Sequence, residues 1–136
     1  MTAKEYLKQY KEECLRVRRY QEEYDAELLL IDTVRSTSDN DGMPHGSGIS
    51  KPTEQKAIRL AAKARELKDA TLEAVRIRQE VFDLIKWIPG EKGDVLYERY
   101  INLKSWSEVA AAVGYSERHV YNIHREALAE VDRLLK

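Results

Sequence analysis

Apolar residues recur at helical spacing along most of this chain, and the places where the pattern stops divide it into segments. From Ala3 to Ile31, alternating steps of four and three residues select Ala3, Leu7, Tyr10, Cys14, Val17, Gln21, Tyr24, Leu28 and Ile31, a heptad seam. The spacing predicts one helix over residues 2–35, about 50 Å long at about 1.5 Å per residue, which needs a partner along its length. Two tyrosines in the seam and Gln21 at its middle make it loose and adjustable. Residues 36–50, STSDNDGMPHGSGIS, break the periodicity and predict a polar loop. A second long helix is expected from about Pro52 to Trp87 or Ile88, where Pro89-Gly90 stops it. Its seam is Ala57, Leu60, Ala64, Leu67, Thr71, Ala74, Arg78, Val81, Ile85 and Ile88. A shorter helix over Glu91–Leu103 carries Val95, Leu96, Tyr100 and Leu103 on one side.

The next stretch, SWSEVAAAVGYSERHVYNIHREAL (105–128), is where spacing and mechanism coincide. Ser105 and Glu108 form an S-x-x-E capping box, so a helix starts at Trp106 and ends at Gly114, the residue best suited to a left-handed cap. Ser116 caps a second helix whose apolar positions are Val120, Ile123, Ala127, Val131 and Leu134. Two helices joined by a short turn containing Gly make a helix-turn-helix. Val109, Ala110, Val113, Tyr115, Val120 and Ile123 fall on its inner positions, and small Ala110 stands where the helices cross. The fold class read from the pattern is therefore all-α. A long two-helix coiled hairpin over residues 1–88, with its loop at 36–50, precedes a three-helix helix-turn-helix unit over 89–136. The long helices pair within one chain, between chains, or both.

Composition supports helices and narrows the chemistry. Of 136 residues, 43% are hydrophobic and 35% charged, with only six Gly and three Pro, which excludes a disordered chain. No stretch is apolar enough for a membrane span, and the charged start MTAKEYLKQYKEE does not read as a signal peptide, so an intracellular protein is expected. The single Cys14 has no partner for an internal disulfide. Net charge is −1, and residues 89–136 hold seven Lys/Arg against eight Asp/Glu. The expected reader domain is thus not a basic block, and its affinity for nucleic acid has to be completed elsewhere. Glu12-Glu13 and Glu22-Glu23 read as solvated faces, His45 as a lone loop histidine, and His119 with His124 as a pair too poorly spaced for a metal. Neither Gly42, Gly46 and Gly48 nor PGEKGD (89–94) has the spacing of a phosphate loop, and the latter reads as a turn. No nucleophile, metal set or cofactor motif is present, so no enzyme, no cofactor and no catalytic or metal site is expected.

With the apolar positions facing inward, the second helix of the motif projects Glu117, Arg118, Tyr121, Asn122 and Arg125 outward. Each suits duplex DNA. Arg118 can donate two bonds to a guanine edge, Asn122 can pair with adenine, and Glu117 can accept from cytosine. Tyr121 suits a thymine methyl or a phosphate, Arg125 the backbone, and Ser105 and Ser116 phosphates at helix starts. Glu117 favouring the helix dipole and Arg118 pairing with a surface acid are the alternatives.

The segment VLYERYINLKSWSEVAAAVGYSERHVYNIHREALAEVDRLL (95–135) resembles region four of bacterial sigma factors. The layout as a whole, with Arg99-Tyr100-Ile101 and Ser105-Trp106, resembles the small phage regulators of the RinA/ArpU type. That resemblance implies a phage or prophage late-gene activator in the cytoplasm of a bacterial host. Its base-contacting positions fall on Glu117, Arg118 and Asn122. Glu117, His119 and Tyr121 stand where sigma factors commonly carry basic residues, which implies a target other than the ordinary promoter element. The expected partners are double-stranded DNA, a second copy of the chain, and RNA polymerase as the alternative source of affinity. The rivals are a small terminase-like packaging subunit and an adaptor of RNA polymerase that touches no DNA.

Overall fold

The computed structural model describes residues 1–39 and 51–136, with side-chain surroundings for 1–31 and 54–136. The fold is all-α. Helix α1 spans Ala3–Asp39, α2 Lys51–Ile85, α3 Gly90–Leu96 with a π-helical turn over Tyr97–Ile101, α4 Trp106–Val113 and α5 Glu117–Leu135; no strand occurs among the described residues. Helix α1 continues through residues 36–39, the first positions of the expected loop, because Ser-Thr-Ser-Asp holds no Gly or Pro to halt a helix already propagating. The remainder of that loop, with Gly42, His45, Gly46 and Gly48, lies outside the described residues. Pro52 sits in the first turn of α2, where its missing N–H costs nothing. Helix α2 stops at Ile85, short of the expected end, and closes in a tight turn in which the Trp87 and Ile88 amides donate to the Leu84 and Ile85 carbonyls at 3.1 and 2.9 Å.

The chain forms two compact units, one of residues 15–72 and one of residues 1–14 with 73–136. In the first, Ile31 and Ala70 are buried and Lys63 meets Glu23 at 2.8 Å. The seam here departs from the expected one at Gln21, Leu28, Ala57 and Thr71, all of which are exposed. Gln21 instead donates to Asp25 one turn on at 2.9 Å, and the neighbouring ring of Tyr20 takes the half-buried place under the Arg16 guanidinium. The Thr71 hydroxyl donates back to the Leu67 carbonyl at 2.8 Å, and Ala70 is buried instead. A polar group satisfied along its own helix gains nothing by leaving water.

In the second unit the start of α1 lies against the end of α2, antiparallel. Ala3, Leu7, Ile77, Val81, Ile85 and Ile88 share one core with Leu96, Tyr100, Ile101, Ala127 and Val131. A smaller cluster, Val95, Val109, Ala110, Val120 and Ile123, fills the helix-turn-helix itself. The helix expected over Glu91–Leu103 is two pieces. Pro89 is its N-cap, so residues 90–94 of the expected turn are helical, and the widened turn closes with the Asn102 amide on the Tyr97 carbonyl at 3.1 Å. The extra residue per turn brings both Tyr100 and Ile101 inward. It also carries Leu103, expected inside, out to 37% exposure with a φ of 56°.

Candidate nucleic-acid interface

Both caps of the motif form as their residue types require. Ser105, in extended backbone, accepts from the Glu108 amide at 3.3 Å, and its hydroxyl donates to the Glu108 carboxylate at 3.0 Å. That carboxylate thus reaches back across the first turn to the capping hydroxyl. Gly114 takes a φ of 78°, and its amide and that of Tyr115 both donate to the Ala110 carbonyl. Ser116 then accepts from the His119 amide at 3.2 Å and starts α5. Both serines are exposed, but the Ser105 hydroxyl is already spent on a carboxylate, which leaves Ser116 the better placed for an anion.

Helix α5 is divided lengthwise. Val120, Ile123, His124, Ala127 and Val131 are buried, while Glu117, Arg118, Tyr121, Asn122 and Arg125 are exposed. Among the described residues no side chain forms a hydrogen bond or ion pair with Glu117, Arg118, Asn122 or Arg125. The Tyr121 ring stands edge-on to Trp106 at 5.2 Å, while the residue as a whole is exposed. Arg118, Asn122 and Arg125 follow one another along one stripe of the helix. Tyr115 departs from its expected inward place: it is 37% exposed, its hydroxyl donates to the Glu91 carboxylate and its ring meets His119 at 4.7 Å. The phenol keeps a polar partner at the rim while Val113 half-fills the interior beside it.

His124, Tyr100 and Arg99, to which the sequence reading gave no role at this face, support it from behind. His124 is 9% exposed, joined to the Tyr100 hydroxyl through Nε2 at 2.6 Å, stacked on that ring and edge-on to Trp106 at 4.6 Å. Burial, then the charges of Lys4 and Arg99, push its pKa down to about 4, so it is neutral at neutral pH. Burial pushes the Tyr100 hydroxyl up to about 12. Arg99 lies over the Trp106 ring at 4.4 Å and donates to the Lys104 carbonyl at 2.8 Å. Together with the Glu98–Lys104 ion pair at 2.6 Å, it fixes the connection into α4. The signal for His124 was present: it stands four residues after Val120 and three before Ala127, on the inward stripe.

No group of three His, Cys, Asp or Glu side chains suited to a metal occurs among the described residues, and no described helix is long and apolar enough to cross a membrane. Comparison with protein-family models, with curated proteins and with solved structures finds no match to this chain.

Proposed function

We propose that this protein is a sequence-specific DNA-binding transcription regulator that reads the major groove with the amino-terminal half of α5. The observation that carries the reading is the undivided outer stripe of that helix, where Arg118, Asn122 and Arg125 are exposed and uncommitted while the opposite side is locked into a core. A helix that is capped, rigid and rich in bidentate donors on its free side has the chemistry of a recognition helix. Glu117 and Tyr121 complete the reading surface, and Ser116 with the first amides of α5 meets a phosphate. The resemblance to sigma region four and to phage regulators supports late-gene activation in a phage or prophage. The near-balance of charge in residues 89–136 supports binding as a homo-oligomer or beside RNA polymerase.

The test is a selection of bound fragments from random and phage–host DNA by the full chain at stated salt, followed by titration of the enriched site. The selection should return a defined site. On it, Arg118→Ala should cost about 1–3 kcal/mol and relax the preference at one base pair. Failure to enrich any sequence would leave the adaptor reading, and a large ring in solution would favour DNA packaging.

A further inference from the structure

We propose that a basic cleft between the start of α1 and the entry to α4 is a second DNA contact, one that grips the phosphodiester backbone beside the groove entered by α5. The inference rests on the DNA-binding reading of α5 and names what supplies the affinity that helix lacks. Lys4, Lys8 and Lys11 line this cleft of about 110 Å³ together with Arg99 and Trp106, and no carboxylate is among its lining residues.

The three lysines occupy one face of α1 at four- and three-residue steps, spanning about 10 Å at about 1.5 Å per residue. That is the axial length of about three phosphates of one strand at about 3.4 Å each. All three are exposed, and no ion pair involves them among the described residues. Several other cations are paired, Lys63 with Glu23, Arg76 with Glu73 and Glu80, Lys92 with Glu130 and Lys104 with Glu98. The cleft thus concentrates cations that the fold leaves uncompensated. Their field is felt inside the protein, since Lys4 and Arg99 both help to keep His124 unprotonated.

Duplex DNA is the occupant this shape favours over a small anion. The charges form a row rather than a closed cradle, and a row matches a repeating polyanion. The cleft also shares a residue with the reading face: Trp106, which lines it under Arg99, packs edge-on with Tyr121 of α5. The proposed duplex lies along α5 with one strand against the lysines.

The experiment is an anisotropy titration of the selected duplex and of an unrelated duplex across a salt series. It uses the wild-type chain, the triple variant Lys4→Gln/Lys8→Gln/Lys11→Gln, the control Lys56→Gln/Lys68→Gln, and Arg118→Ala. Thermal melts check that each is folded. The triple variant should bind both duplexes roughly 10- to 100-fold more weakly at moderate salt, with a log K against log salt slope shallower by about 2 to 3, and with its preference between duplexes unchanged. The control should keep the wild-type slope. A triple variant with wild-type slope and affinity, or a loss equalled by the control, overturns the cleft while leaving the α5 reading intact if Arg118→Ala still changes preference. Competition by inorganic phosphate at millimolar level that abolishes duplex binding would mark a small-anion site and overturn the backbone contact. A wild-type chain that binds neither duplex overturns both readings.

Discussion

His124 shows how a single side chain is held against its own chemistry. An imidazole in water titrates near 6.5, but here it is enclosed by Tyr100 and Trp106, with Lys4 and Arg99 adding positive charge, and its value falls to about 4. Between these two values the unfolded chain binds a proton that the folded chain refuses, so stability decreases as pH drops through this window and levels off below it. The loss should be on the order of 2 kcal/mol. Urea denaturation at about pH 7 and about pH 4.5 should show it, and His124→Phe should flatten this difference. An unchanged pH dependence in that variant would assign the acid sensitivity to other groups. The same ring backs the reading face, because Trp106 touches both His124 and Tyr121.

At the scale of elements, the connections are more demanding than the helices they join. Two glycines separate backbone conformation from space. Gly114 needs its left-handed φ of 78°, yet a methyl group there would meet open space. Gly114→Ala should therefore cost only about 1 kcal/mol, the strain of that conformation. Gly93 has no unusual φ, but a methyl group would press into the Ile88 carbonyl oxygen, which is backbone and cannot swing aside. Gly93→Ala should cost about 2–3 kcal/mol by forcing apart the connection between α2 and α3. Urea midpoints for the two variants should rank Gly93→Ala as the more damaging, and the reverse order would mean that this connection yields easily. The caps at Ser105, Gly114 and Ser116 were legible because capping is local chemistry within four residues. The π-helical turn at Tyr97–Ile101 was not, since it follows from packing both Tyr100 and Ile101 inside.

At the scale of the molecule, the reader unit does not own its whole core. Ala127 and Val131 of α5 pack in one cluster with Ala3 and Leu7 of α1, Ile77, Val81 and Ile85 of α2, and Ile88 in the turn that follows it. The Ala3 amide donates to the Asp132 carboxylate at 3.0 Å, joining positions 129 residues apart. A fragment of residues 89–136 keeps the smaller cluster around Val109 and Val120 but leaves Leu96, Ile101 and Val131 facing water. It should lack the cooperative thermal transition expected of the full chain when both are followed by circular dichroism, because so short a chain buries too little apolar surface. A sharp transition in that fragment would show that the first fourteen residues and the end of α2 are dispensable for its folding.

The sequence by itself determined the all-α class, the ends of the helix-turn-helix and the outward places of Glu117, Arg118, Tyr121, Asn122 and Arg125, whereas Leu134, expected on the inward stripe of α5, is 47% exposed because it lies in the last turn, beyond the core that ends at Val131. Periodicity and capping are set by residues within a turn or two of each other. Only the tertiary structure decided the burial of His124 on Tyr100, the outward place of Tyr115 and Leu103, and the choice of Tyr20 and Ala70 over Gln21 and Thr71 in the long helices. It also decided that Lys4, Lys8 and Lys11 stand beside Arg99, some ninety residues away in the chain. Charge counted along a chain sums over neighbours in sequence, whereas an electrostatic grip depends on neighbours in space. A chain with a net charge of −1 can therefore carry a row of unpaired cations next to the helix proposed to read DNA.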